Sequence, residues 1–299
     1  MSNKEQRFQQ ISQQSDQPNN LGKVYLVGAG PGAVDLITVR GAKLLAKADI
    51  VFYDALVDPE MLALCPQAEK VAVGKRCGKL SSAQQFINKR LVDAAQKYQT
   101  IVRLKGGDPM LFGRADEEIS TLKEAGIAVE VVPGITAALA GAASLQQSLT
   151  LRGVSRSVAF VTLAQGTENS TTTAKDIARI GPIANPTADT MIYYMGRKDA
   201  ANIAKQLIEA KVNHTTETPV HILEAVSTPK ERLWSSTLGK LADGLADDWF
   251  DASSPALILI GQAFSQIDTA TKNSGQGSSA KINDSLQDSQ IIANSIRCA

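Results

Sequence analysis

The chain predicts an α/β fold in two domains. Three features carry that prediction: short apolar, β-rich runs alternate with helical patterns, the runs fall into two sets, and glycine clusters follow several of them directly. At 299 residues the chain also exceeds the size at which a single hydrophobic core serves well, which favours two cores. The first set of runs is VYLVG, DIVFYD, EKVAVG, TIVRLKGG and AVEVVPG. The second is SVAFVTL, TMIYYMG, PVHILEA, RLWSSTL and ALILIG. Between the sets lies ITAALAGAASL, a helix of small residues able to pack closely against its neighbours. The domains are expected over 22–150 and 151–264. Residues 1–21 and 265–299 are rich in Gln, Asn and Ser and too poor in apolar residues to offset the entropy of ordering, so they are expected to be a disordered arm and tail.

Local signals place several helices. Asp58 and Pro59 mark a helix start, with the aspartate as N-cap and the proline at the first helical position. Thr38 marks another. Ser82 and Gln85 read as a capping-box pair, ahead of Ile87, Leu91, Ala95 and Tyr98 on one face.

Composition narrows the function classes. A net charge of +1 argues against a globally basic nucleic-acid binder. Three cysteines and two histidines lie too far apart for metal-ligand spacing, and the odd cysteine count without a secretory leader reads as a reduced, cytoplasmic protein. No apolar run approaches the roughly 18 residues of a membrane span. No metal, nucleic acid or membrane is expected as a partner.

The glycines carry the functional signal. GAGPG (28–32), KGGDP (105–109) and PGITAA (133–138) each follow an apolar run, and ligands of open α/β sheets collect at the carboxyl ends of strands. Gly28, Gly30 and Ala33 satisfy the spacing of a dinucleotide fingerprint, with Asp54 about twenty residues on, so an NAD-binding oxidoreductase is one reading. Against it, Pro31, Gly32 and AVDLIT delay the helix to about Thr38, whereas a pyrophosphate cradle needs the helix to begin at the glycines. A nucleoside without phosphates, held by main-chain groups, suits the pattern better.

The segments VYLVGAGPGAVDLITVRGAKLLAKADIVFYDALV, VGKR, VRLKGGDPMLFGRADEE, VVPGITAA, YYMGR and SPALILIG, in this order, resemble the tetrapyrrole methylase family over about 22–264, and within it the enzymes that act on uroporphyrinogen III. The resemblance implies two α/β domains with the active site in the cleft between them, and a homodimer. It implies two methyl transfers from S-adenosylmethionine to uroporphyrinogen III, at C2 and C7, giving precorrin-2 for siroheme or cobalamin biosynthesis, with S-adenosylhomocysteine as co-product and no metal. A methylase of the same family acting on a later precorrin is the nearer alternative.

By the same resemblance the donor contacts fall on Pro31, Gly106, Gly107, Asp108, Leu111, Thr136, Ala137, Met195 and the Ala225–Val226 segment. Asp108 could offset the donor's positive charge, or cap the turn before Pro109. Methylation of a pyrrole carbon ends with loss of a proton, for which the family's pattern offers Asp54 as acceptor and Lys75 as donor, with Glu117 as a further candidate. An acceptor bearing eight carboxylates calls for arginine forks, and Arg114 and Arg152 match. Arg114 is also spaced to pair with Glu117 on a helix. The chain departs from the family's pattern at Leu151, where a histidine is common, at VTLAQG (161–166) and at Val226 in place of glycine.

Overall fold

The computed structural model describes residues 21–73, 80–163 and 187–265. The ten apolar runs form ten strands, five in each of two sheets. The first sheet has the order β3-β2-β4-β1-β5 and is parallel throughout. Its strands are β1 (Lys23–Gly28), β2 (Ile50–Tyr53), β3 (Glu69–Ala72), β4 (Thr100–Lys105) and β5 (Val129–Val132). The period of two along β1 and β4 divides the core. Val24, Leu26 and Ile101 meet α2 (Leu80–Ala95) and α3 (Ala115–Glu124), while Val27, Val102 and Leu104 meet α1 (Val39–Leu45), Met61 and Cys65 on the other face. Covered on both faces, the parallel strands can be apolar along their whole length.

The second sheet has the order β6-β7-β10-β8-β9, from β6 (Val158–Thr162), β7 (Thr190–Tyr194), β8 (Pro219–Glu224), β9 (Arg232–Thr237) and β10 (Ala256–Gly261). Only the β6–β7 pair is parallel. One face packs on α5 (Ala200–Ala210) and α6 (Leu238–Ala242). The other packs on α4 (Ala137–Leu145), the small-residue helix. There Ala138, Ala140 and Ala142 share a core with Ile192, Leu223 and Leu257, and a Cβ built on Gly141 would stand 2.9 Å from a Leu223 methyl. α4 thus precedes the expected domain boundary in sequence yet is packed on the second sheet.

Thr38 accepts from Gly41 N as the N-cap of α1, and Asp58 accepts from Glu60 N ahead of Pro59, both as the sequence indicates. The Ser82–Gln85 capping box is not formed. Helix α2 already includes Leu80, which puts Ser82 inside the helix rather than at its N-cap. Among the described residues no helix is long and apolar enough to cross a membrane.

Candidate active site

β4, β1 and β5 are neighbours, so the three glycine loops leave the sheet side by side at its carboxyl edge. The loops after β1 and β4 are bonded to each other through the main chain. Gly107 N donates to Gly30 O at 2.7 Å, and Gly30 N donates back to Gly107 O at 3.2 Å. Gly28 and Gly134 touch so closely that a Cβ on Gly28 would lie 2.5 Å from the Gly134 Cα. Asp108 completes the assembly: one carboxylate oxygen accepts from Met110 N within its own loop, and the other accepts from Gly134 N, each at 2.8 Å. One oxygen therefore fixes the turn of its own loop and the other joins that loop to the one after β5.

The second sheet supplies the opposite wall. β7 and β8 both run antiparallel to β10 and therefore parallel to each other, so Met195 and Ala225 emerge at the same end. The walls meet at several places among the described residues. Ala33 N donates to Ser227 Oγ at 3.1 Å, the Phe112 and Tyr194 rings lie 5.2 Å apart, and the Tyr194 hydroxyl contacts Thr136 Oγ1 at 2.6 Å. Ala138 N also donates to that hydroxyl, at 3.1 Å. Burial pushes the Tyr194 phenol above its ordinary value of 10, so it stays neutral and can bridge the two.

Five non-glycine residues at this junction hold left-handed backbone: Phe112, Arg114, Met195, Ala225 and Ser227. Each such conformation costs on the order of 1–3 kcal/mol and persists only where the surroundings enforce it. Their concentration on both walls marks the cleft as the place where this fold stores strain.

Of the donor positions implied by resemblance, Pro31, Gly106, Gly107, Asp108, Leu111, Thr136, Ala137, Met195 and Val226 all lie on these loops or strand ends. Met195 is exposed and Val226 buried. Asp54 follows β2, beside β4. Its carboxylate accepts from Leu56 N at 3.1 Å and Gly106 N at 3.4 Å, which sets a half-buried acid against the glycine loop. Arg114 and Glu117 form a two-bonded pair, both contacts 2.7 Å, exposed at the start of α3. Arg152 sits in the exposed turn between Leu151 and Ser155. Lys75 lies outside the described residues.

Sequence reasoning misses a buried charge cluster beneath Asp54. The completely buried Glu118 carboxylate accepts from Arg103 Nε at 3.1 Å, Lys105 Nζ at 3.1 Å and Gln84 Nε2 at 3.1 Å. Arg103 Nη2 also lies 3.8 Å from the Asp54 carboxylate. Arg103 and Lys105, two apart on β4, share the face turned to α3, and so a single glutamate reaches both. Burial, reinforced by the Arg103 charge, holds the Lys105 pKa below the ordinary lysine value of 10.5 despite the pull of Glu118. Tyr194 and Ser227 are likewise missed, because their roles arise only across the cleft.

The site suits a compact cationic nucleoside. The stretches 28–33, 106–109 and 133–136 contain no lysine or arginine to meet a pyrophosphate, and α1 begins only at Val39, away from the glycines. Gly107, at φ 68°, has nothing within 4 Å of where a Cβ would stand, so its bare backbone faces open space. Among the described residues, no group of three or more His, Cys, Asp and Glu is placed to hold a metal ion. His214 and His221 are instead buried next to Ala188 O and Ser235 Oγ, and burial lowers the pKa of each.

Comparison with known proteins accords with this geometry. The family model for Tetrapyrrole (Corrin/Porphyrin) Methylases matches residues 23–242. The siroheme synthase of Psychrobacter sp. (strain PRwf-1) is 41% identical over 265 residues, which cover 86% of this chain and 52% of that protein. That of Stutzerimonas stutzeri (strain A1501) is 40% identical over 248 residues, covering 82% and 50%. The chain thus spans about half the length of the curated relatives it matches. Among solved structures, uroporphyrin-III C-methyl transferase from Thermus thermophilus, complexed with S-adenyl homocysteine, shares 35% identity at a TM-score of 0.66, covering 82% of this chain and 94% of that one. A cobalamin biosynthetic enzyme, cobalt precorrin-4 methyltransferase, shares 29% at a TM-score of 0.63, covering 81% and 95%. With the whole first sheet, the glycine loops and β6 to β9 of the second sheet inside the matched region, the chain belongs to the tetrapyrrole (corrin/porphyrin) methylase family.

Proposed function

We propose that the chain transfers two methyl groups from S-adenosylmethionine to uroporphyrinogen III, at C2 and C7, to give precorrin-2. The observation that carries this reading is the junction of three glycine loops, two bonded main chain to main chain and the third joined through the Asp108 carboxylate, closed by a second wall at Met195 and Val226. The Thermus relative complexed with S-adenyl homocysteine supports it. The donor supplies a methyl group on a positively charged sulfur, displaced in line by a nucleophilic carbon. The protein's part in such a reaction is alignment and exclusion of water, a task for rigid main chain more than for reactive side chains.

In this reading Gly106, Gly107, Thr136, Ala137 and Val226 present backbone groups to the donor, while Leu111 and Met195 flank its base. Asp108 acts by fixing the loops, with its charge directed toward the cationic donor. Asp54, anchored at Gly106 N and faced by Arg103, receives the proton that the methylated ring must lose. Arg114 and Arg152 meet the carboxylates of the acceptor, Arg114 by exchanging its Glu117 partner for a substrate carboxylate.

The direct test is mass spectrometry of uroporphyrinogen III incubated with the chain and S-adenosylmethionine. Two added methyl groups are expected. No transfer to uroporphyrinogen III together with transfer to a later precorrin would instead favour the activity named for the second structural relative. Asp54→Asn is expected to bind S-adenosylhomocysteine within about twofold of the parent while methylating at least about 100-fold more slowly, the usual scale for loss of a positioned base. Calorimetry and single-turnover kinetics measure the two quantities, and unchanged turnover removes Asp54 from the chemistry.

A further inference from the structure

The turn after β8 is strained at two non-glycine positions, Ala225 at φ 48° and Ser227 at φ 64°. Three sets of contacts hold it. Ala225 N donates to Pro255 O at 3.0 Å, Thr228 donates to Ala225 O through both its amide and its hydroxyl, and Ser227 N donates to Glu231 Oε2 at 2.5 Å. The other Glu231 oxygen accepts from the Ser144 hydroxyl in the last turn of α4. Ser227 in turn receives Ala33 N on its hydroxyl, where the chains are tightly opposed: a Cβ on Gly32 would lie 3.0 Å from Val226 O and 2.5 Å from Thr228 Cγ2.

We propose that Glu231 is a positioning residue for the methyl donor: its carboxylate ties the Ala225–Thr228 turn to α4 and, through Ser227, to the loop after β1. The proposal rests on the donor site described above. Two pieces assigned to that site, the Pro31 loop and the Val226 turn, are linked through this one side chain, and its other oxygen fixes them to the far end of the helix that begins at Thr136–Ala137. An ionised acceptor is well matched to the task. A hydrogen bond to a carboxylate is stronger than one to a neutral acceptor, and here it must hold a backbone conformation that an alanine or serine does not favour unaided. Without the carboxylate the Ser227 amide loses its partner, the turn relaxes toward negative φ, and the Ser227 hydroxyl withdraws from Ala33. Glutamine can keep the arrangement, because its oxygen accepts from Ser227 N while its amide donates to the Ser144 hydroxyl.

Glu231→Ala is expected to weaken S-adenosylhomocysteine binding about tenfold or more and to raise the donor KM in step, the scale of one lost charge-assisted hydrogen bond. The kcat at saturating donor should stay within about twofold, because Glu231 meets neither reacting atom. Glu231→Gln should restore affinity to within about threefold of the parent. Hydrogen exchange at the Ser227 and Ala33 amides, measured without ligand, should quicken in Glu231→Ala and recover in Glu231→Gln. Ser227→Ala, which breaks the connection one link further on, should weaken binding while leaving the Ser227 amide protected. Unchanged exchange and unchanged affinity in Glu231→Ala would overturn the proposal, as would quickened exchange with unchanged affinity. A parent chain that binds no S-adenosylhomocysteine would instead overturn the donor-site reading, while the exchange data would still show whether Glu231 secures the turn.

Discussion

Glu118→Ala is expected to lower the stability of the folded chain by about 3–5 kcal/mol, the cost of leaving buried charges without their partner. On the scale of domains this size, that is a fall in Tm on the order of 10–20 °C. The removed carboxylate holds Arg103, Lys105 and Gln84 together in a fully buried setting, and among the described residues the Asp54 carboxylate, 3.8 Å from Arg103, is what remains to oppose two cations. The loss should depend on pH. Lys105 has its pKa held below 10.5 by burial and by Arg103, and removing Glu118 takes away the attraction that opposes both effects. For a base with a lowered pKa in the folded state, the unfolded chain binds more protons between the two values. Stability therefore rises with pH across that window, which ends near the ordinary lysine value. The gap between variant and parent should narrow from pH 7 toward pH 10, though not close, because Arg103 stays charged. Urea unfolding at several pH values measures this. A cost below about 1 kcal/mol, or one equal at all pH values, would show that the cluster is solvated rather than buried. Replacing all three of Arg103, Lys105 and Glu118 by apolar residues of similar volume should regain much of the loss.

That cluster marks the limit of what the sequence shows. The ten strands are legible because each carries a short β-rich run, apolar for most of its length in all but β3, β4 and β9, and the three glycine loops because glycine follows those runs directly. TIVRLKGG also reads as a strand, but nothing in it says whether Arg103 and Lys105 face water or the core. The answer depends on Glu118, on a helix that the charged stretch FGRADEE gives no reason to bury. The Ser82–Gln85 pair fails for a related reason: a capping box is a local pattern, and here the helix extends past it to Leu80. Cross-cleft contacts are less legible still. Tyr194 reads as one more strand residue, and its value lies in bridging Thr136 and Ala138, over fifty residues away in sequence. Ser227 and Glu231 look like ordinary turn residues until Ala33, 194 residues earlier than Ser227, is placed against them. Family resemblance supplies positions for the donor contacts, but it does not say what keeps those positions in place.

Gly134→Ala is expected to abolish donor binding and to cost about 1–3 kcal/mol of stability, the range for overpacking a site that cannot expand. The added Cβ would stand 2.2 Å from Gly107 O and 2.8 Å from the Gly28 Cα, both main-chain atoms that no rotamer change can move aside. Retreat of the 105–109 loop would break its paired bonds with Gly30, and retreat of the 133–136 loop would break the bond from Gly134 N to Asp108. Either way the three loops separate. Gly107→Ala separates a structural cause from a binding one. Its Cβ meets no protein atom within 4 Å, so the expected cost is only the roughly 1–2 kcal/mol of a left-handed alanine at φ 68°. The methyl nevertheless projects into the space where the main chain is proposed to meet the donor. The variant should therefore remain folded while losing affinity for S-adenosylhomocysteine by about tenfold or more. Calorimetry with both variants, alongside their unfolding curves, decides the matter. If Gly107→Ala bound the ligand as tightly as the parent, the donor would not lie against that backbone. The close packing of Gly28, Gly107 and Gly134 would then serve only to join three strands of the first sheet.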